Sequence, residues 1–271
     1  MPGSVFLETL RQNWRTFLIW GIGFGFFGWI VVLMIPDVEG LKALEDFLLA
    51  MPPFVRAMVG VFGDTDLSLV ATPEGFIAIG FFNKMVLIFA ALPLVLGFRV
   101  TTHEEDEGIL DMVLSLPLAR WRIIIEKFAA FALGCLLIVG FILAGFWLGG
   151  AMSSIELDMG RIVDNVVNLF PTLLFVLSVT VAIGAMIRHR KLAIAAGILF
   201  IAYSFSLDLV GGLASGTVAE NLRYLSFFRY YDSVGTMQNG IAWSTFIIFI
   251  VLSLVITGVA TIVFQRRDVA A

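Results

Sequence analysis

Charge is scarce in this chain. Only 14% of its 271 residues are Asp, Glu, Lys or Arg, against about a quarter in soluble domains. Hydrophobic residues make up 60%, and mean hydropathy is +1.00. That balance excludes a water-soluble core of ordinary size. Cysteine is almost absent: Cys135 is the only one, so no intramolecular disulfide forms. Its apolar surroundings suit a small core residue better than a reactive thiol. The two histidines, His103 and His189, stand in different loops without neighbouring cysteines, which is no metal-site pattern. Neither falls in an apolar run, and there is no His-Glu-x-x-His motif or its reverse. An intramembrane hydrolase would need such ligands, or a paired nucleophile and base, so no catalytic and no metal-ligating residue is assigned. A Gly-x-x-x-x-Gly-Lys-Ser/Thr phosphate loop is missing too. So are the segments of about ten alternating residues that build a membrane barrel.

What the chain has in quantity is long apolar runs. Backbone polar groups in lipid must be satisfied within the protein, which leaves helices once a barrel is excluded. A spanning helix needs roughly 20 mostly apolar residues. On that criterion the fold class is an all-α integral membrane protein with six spans, at about 17–35, 76–98, 128–150, 169–187, 192–213 and 241–264. A single transmembrane domain, 1–271, accounts for all of them. Residues 3–16 read as an N-terminal amphipathic interfacial helix carrying Glu8, Arg11 and Arg15. They lack the pattern of a secretory signal, and the run after them is long enough to span. Gly21, Gly23, Gly25 and Gly28 in the first span fit close helix packing.

Orientation follows from Lys and Arg in the loops. With the N-terminus in the cytoplasm, inside segments hold eleven of these residues and the longer outside segments five. Both termini are therefore expected inside. The net charge of −4 adds little, because charge counts by side. The first outside segment, 36–75, places Leu41, Leu44, Phe47, Leu48 and Met51 at helical spacing before Pro52-Pro53. It predicts a helix lying on the outer surface. In the last outside segment, 214–240, the cluster Tyr224, Phe227, Phe228, Tyr230 and Tyr231 suits a membrane interface.

The loop between spans two and three carries the most information. Thr101 or Thr102 is a possible helix cap, and Glu104, Glu105, Asp106 and Glu107 form an acidic first turn, as a helix N-terminus favours. Ile109, Leu110, Val113 and Leu114 share one apolar face. Pro117 ends the helix, and Arg120, Arg122 and Lys127 mark the next membrane boundary. The product is a short helix with one acidic end and one greasy side, suited to lie under a membrane and present its end to a partner.

These residues resemble a known family. The order Glu104-x-x-x-Gly108-x-Leu110-x-x-x-Leu114-Ser115-x-Pro117-x-x-Arg120, followed by Lys127, is similar to the coupling segment of type-2 ABC export permeases. Thr72-Pro73-Glu74-Gly75-Phe76 resembles the start of that family's second span. Leu225-Ser226-Phe227-Phe228-Arg229-Tyr230-Tyr231-Asp232 resembles the stretch before its last span, and Arg266-Arg267-Asp268 its ending. The departures are local: Ile109 for a usual threonine, Phe227 for a common proline, and Glu126 before Lys127 where glycine is common. The resemblance implies a permease subunit that forms the pathway while a separate nucleotide-binding ATPase hydrolyses ATP. ATP and magnesium would sit on that partner, and this chain would bind no cofactor. Residues 101–117 would be the cytoplasmic coupling helix, with Glu104, Glu105, Glu107, Gly108, Leu110, Leu114, Pro117, Arg120 and Lys127 as its site residues. A second permease chain is implied as well, a homodimer by default and a heterodimer as the alternative. A prokaryotic plasma membrane fits the loop charges and the family pattern.

Two ionisable residues fall within spans, Lys84 in the second and Asp208 in the fifth. Such groups are expensive in lipid and find partners in the bundle. With Asn83 they are candidates for an intramembrane pair or for lining the pathway, and snorkelling to the outer interface is the alternative. Tyr203, Ser204 and Ser206 face a cavity or serve helix packing. Arg188-His189-Arg190-Lys191 joins spans four and five. It sets topology and meets anionic lipid, and no nucleic-acid partner is expected from so short a run. A secondary transporter would show inverted repeats or several midplane charges, and neither is evident. A membrane scaffold remains the other rival. The transported substrate is not written in this sequence.

Overall fold

The computed structural model describes residues 5–58, 61, 67–101, 119–187, 189–214 and 216–266. Six helices are long and apolar enough to cross a membrane, and no strand occurs among the described residues. The first, α1, runs unbroken over Val5–Leu33. Residues 5–16, expected as a separate amphipathic helix, are the opening turns of this same helix. Two short helices follow at its far end, α2 (Val38–Ala50) and α3 (Pro53–Met58). Asp37 caps α2 by accepting from the Gly40 N–H at 2.9 Å. Leu41 and Leu48 turn inward while Phe47 stays exposed.

The second crossing is composite. Thr72 accepts from the Gly75 N–H at 3.1 Å and Pro73 takes the first helical position, the two signals that favour a helix start. A short α4 (Pro73–Ile77) passes into one π-helical turn, Ala78–Asn83, and then into α5 (Lys84–Thr101). The remaining crossings are α6 (Arg120–Met152), α7 (Met159–Met186), α8 (Arg190–Leu213) and α11 (Trp243–Gln265). Between the last two lie α9 (Phe227–Tyr230) and α10 (Ser233–Asn239). Ser226 and Asp232 cap these two through the Phe228 and Gly235 N–H groups, at 3.1 and 2.8 Å. Gly240, at φ +83°, closes α10 and turns the chain into α11.

Several helices extend past the apolar runs that announced them. At 33 residues, α6 is about 50 Å long, against a hydrocarbon core of about 30 Å. Its first two turns carry Arg120, Arg122, Glu126 and Lys127. The apolar criterion stops at those charges, whereas the helix only needs its backbone bonds.

The most extensive helix pair is α1 with α6. Gly25 and Gly145 meet backbone to backbone: a Cβ on Gly145 would run into the Gly25 carbonyl, and one on Gly25 would stand 2.5 Å from the Phe141 carbonyl oxygen. Gly134 and Gly149 make room for Phe17 and Val32. Gly23, by contrast, meets nothing within 4 Å, so the glycine-rich first span packs through Gly21, Gly25 and Gly28. A second close crossing joins α5 to α7. The Thr180 hydroxyl lies 3.2 Å from the Pro93 carbonyl and 2.9 Å from those of Val176 and Leu177, and Gly97 leaves it space.

Phenylalanine fills the rest. Phe24, Phe27, Phe81, Phe82, Phe89 and Phe146 form one edge-to-face and stacked cluster around the π-turn. Phe175, Phe200, Phe227, Phe228 and Phe249 form another. Phe227, Phe228 and Tyr231, expected at a membrane interface, are therefore buried core residues. Tyr224 keeps the exposed position, under the Arg229 guanidinium at 4.4 Å.

Gly25→Val or Gly145→Val should force α1 from α6 and destabilise the chain by about 1–3 kcal/mol, the usual cost of overpacking. Gly23→Ala should be neutral. Thermal midpoints in detergent would check this, and equal midpoints for all three would contradict the backbone contact.

Candidate functional site

Of the expected coupling residues, Glu104, Glu105, Glu107, Gly108, Leu110, Leu114 and Pro117 lie outside the described residues. Both flanks of that segment are described. Thr101, one of the two candidate caps, is the last residue of α5. It is buried against Gly184, and its hydroxyl makes no hydrogen bond among the described residues. Arg120 opens α6, and Ala119 precedes it as a cap without a side-chain bond. Lys127 sits two turns further on and is only 7% exposed, so it packs within the bundle.

Around these flanks, polar side chains tie three helices together. Arg99 near the end of α5 donates from Nη1 to Asn13 Oδ1 of α1 at 2.5 Å. Asn13 in turn donates to the Thr9 carbonyl at 2.8 Å. On α6 the Glu126 carboxylate is shared. Its Oε1 accepts from Arg122 Nε at 2.5 Å, and its Oε2 accepts from the Phe6 backbone N–H at 3.1 Å. Sequence reasoning counted Arg99 and Arg122 only toward topology and Glu126 only as a departure from a family pattern. The i, i+4 spacing of Arg122 and Glu126 was the legible signal. The contact across to α1 had none.

At the opposite end, Asp208 of α8 is paired. Arg223, in the 3₁₀ turn Val218–Leu225, donates from Nε to Asp208 Oδ1 at 3.2 Å. Gly211 leaves room for the arginine stem: a Cβ there would stand 2.5 Å from Arg223 Cγ. The Lys84 side chain lies outside the described residues, so its pairing with Asp208 stays a proposal. Asn83 ends the π-turn. Nearby, Asn165 of α7 is fully buried and donates to the Ser233 carbonyl at 2.7 Å, while Asn168 donates to Thr236 at 3.1 Å. These amides fasten α10 against α7. Burial pushes the Tyr231 phenol up from its ordinary pKa, so it stays neutral.

The span-five hydroxyls divide. Ser204 is buried, 3.1 Å from the Ser226 hydroxyl, and accepts from the Phe227 N–H at 3.1 Å. Ser206 bonds back to the Ala202 carbonyl at 2.8 Å. Tyr203, at mid-length of α8, is 65% exposed. Among the described residues no group of His, Cys, Asp or Glu could hold a metal ion.

The side chains of Arg223 and Asp208 are 9% and 13% exposed, which places the pair with buried bridges. Arg223→Ala should destabilise the chain by roughly 1.5–3 kcal/mol, the scale of a hydrogen bond to a charged group, by removing one partner of the Asp208 carboxylate. The conservative Arg223→Lys, which keeps a cation there, should lose less. Detergent melting curves of the two variants would decide, and equal losses would contradict the pairing.

Six apolar crossings make this a multi-pass membrane protein. Comparison with known families agrees with that topology over nearly the whole chain. The model of the ABC-2 family transporter protein matches residues 17–269. No curated protein shows significant similarity. With the match running from within the first crossing through the sixth, the chain belongs to the ABC-2 family of transporter membrane proteins.

Proposed function

We propose that this chain is the transmembrane subunit of an ATP-driven exporter. It forms the translocation pathway and couples to a separate nucleotide-binding ATPase through residues 101–117. The observation that carries this reading is the coincidence of two things. The family match runs through 17–269, and the ordered motif has Glu104 to Pro117 between the second and third crossings and Arg120 and Lys127 in the opening turns of the third. ABC-2 permeases typically work with an ATPase partner. Their membrane subunit is generally not the catalyst, so ATP and magnesium belong to that partner.

In this scheme Glu104, Glu105 and Glu107 present the acidic end of the segment, and Leu110 and Leu114 its apolar side. Gly108 allows close approach, Pro117 ends the helix, and Arg120 and Lys127 seat the start of α6. A second permease chain completes the pathway, a homodimer by default. Tyr203 supports a protein or aqueous neighbour for α8, because a phenol at mid-membrane finds no partner in hydrocarbon. The loop charges support a cytoplasmic side for both termini, and a plasma membrane fits the family pattern. Lys84, Asn83 and Asp208 remain the candidates for pathway polarity.

The test is recovery from the native host in mild detergent, with bound proteins identified by mass spectrometry. A stoichiometric nucleotide-binding protein should accompany the wild-type chain. Glu104→Arg or Gly108→Trp should reduce its recovery at least tenfold, about 1.4 kcal/mol of affinity, while the melting temperature of the chain is kept. A folded chain that purifies alone and transports in vesicles without ATP would overturn the proposal in favour of a secondary transporter.

A further inference from the structure

The two described flanks of residues 102–118 share one attachment. On the α5 side, Arg99 holds Asn13. On the α6 side, Glu126 holds the Phe6 N–H. Both partners lie in the opening turns of α1, seven residues or about 10 Å apart along its axis. Neither tie is a loose surface contact. Asn13 and Thr9 are buried at 6% exposure, and each is fixed by bonding back one turn, to the Thr9 and Val5 carbonyls at 2.8 Å. The Phe6 N–H lies in the first described turn of α1, and the Glu126 carboxylate reaches it from another helix. Arg122, pairing with the other carboxylate oxygen, sets the rotamer that aims Glu126 at α1.

We propose that the opening turns of α1, residues 5–13, are a brace that joins the two ends of the coupling segment and moves with them. Glu126, Arg99 and Asn13 are its positioning residues. The proposal rests on the coupling role given to residues 101–117 under the proposed function. A load on the segment reaches the bundle at Arg99 and at Glu126, and each of these grips the same helix. From that grip α1 runs alongside α6 to the Gly25–Gly145 backbone contact, so displacement at one end carries to the far end of both helices. Coupling through a brace of this kind does not need α5 and α6 alone to bear the movement.

The experiment uses the full chain with its co-purified ATPase in lipid vesicles, and reads hydrogen exchange by mass spectrometry with and without ATP trapped by vanadate. In the wild type, trapping should shift exchange in peptides covering 5–20 and 119–130 together. In Glu126→Ala, and in Glu126→Ala with Asn13→Ala, the 119–130 response should persist while that of 5–20 falls at least several-fold. Glu126→Gln keeps an acceptor for the Phe6 N–H and should restore it. A 5–20 response that survives in both alanine variants would overturn the brace, as would a wild-type chain in which 119–130 responds and 5–20 does not. Failure of any ATPase to accompany the wild-type chain would instead sink the functional proposal, and the brace's coupling role with it.

Discussion

In hydrocarbon, leucine gains nothing by leaving lipid for protein, so helices associate through close packing and polar contacts. The backbone meeting of α1 and α6 at Gly25 and Gly145 answers that constraint. Removing two side chains lets the helices approach until main chain touches main chain, and the gain is dispersion over a long seam. The same seam aligns Phe17 with Gly134 and Val32 with Gly149. The relative position of the two helices is thereby fixed along their length. The polar ties at one end and the phenylalanine cluster beyond the midpoint both depend on that register. A slip of one turn would part Glu126 from Phe6 and Phe146 from Phe81.

The second half of the bundle is held differently. Here the glycines are fewer and the polar contacts stronger. Thr180 meets Pro93, Asn165 and Asn168 fasten α10, and Asp208 holds Arg223. Thr180, Asn165 and Arg223 are buried, and a buried polar group is costly alone and specific when satisfied. The short helices between α8 and α11 are too small to fold by themselves. Their caps, their amide anchors, the stacking of Phe227 on Phe200 and the edge-to-face contact of Phe228 with Phe205 set them into the bundle.

All six crossings were legible in the sequence, because an apolar run of bilayer length has few other uses. Their ends were not. The readable signal stops at the first charge, so α6 seemed to begin near residue 128 and begins at Arg120, and α7 gains a decade of residues before Leu169. The aromatic cluster at 224–231 misled for a related reason. Composition cannot separate an interfacial belt from a buried stack, and only Tyr224 and Tyr230 remain exposed on the side of the belt. Among the site residues, Asp208 stood out as an ionisable group in a span, with Lys84 as its candidate partner. Arg223, the partner found for it, looked like one more loop charge, because nothing local shows that the 3₁₀ turn folds back onto α8.

The motif that spoke most plainly in sequence, Glu104 to Pro117, lies outside the described residues, while the informative geometry sits at its flanks. This division has a physical sense. Residues that engage a partner need only carry the right surface, and a motif records that surface as a residue order. The residues at its flanks make long-range contacts, Arg99 with Asn13 and Glu126 with Phe6, separated by 86 and 120 positions. No spacing rule reports a contact of that range. The Glu126 position, unusual in a pattern that favours glycine there, is then the point where pattern and geometry meet. The Glu126 carboxylate ties α1 to α6 through the Phe6 N–H, a contact that a glycine at that position could not make.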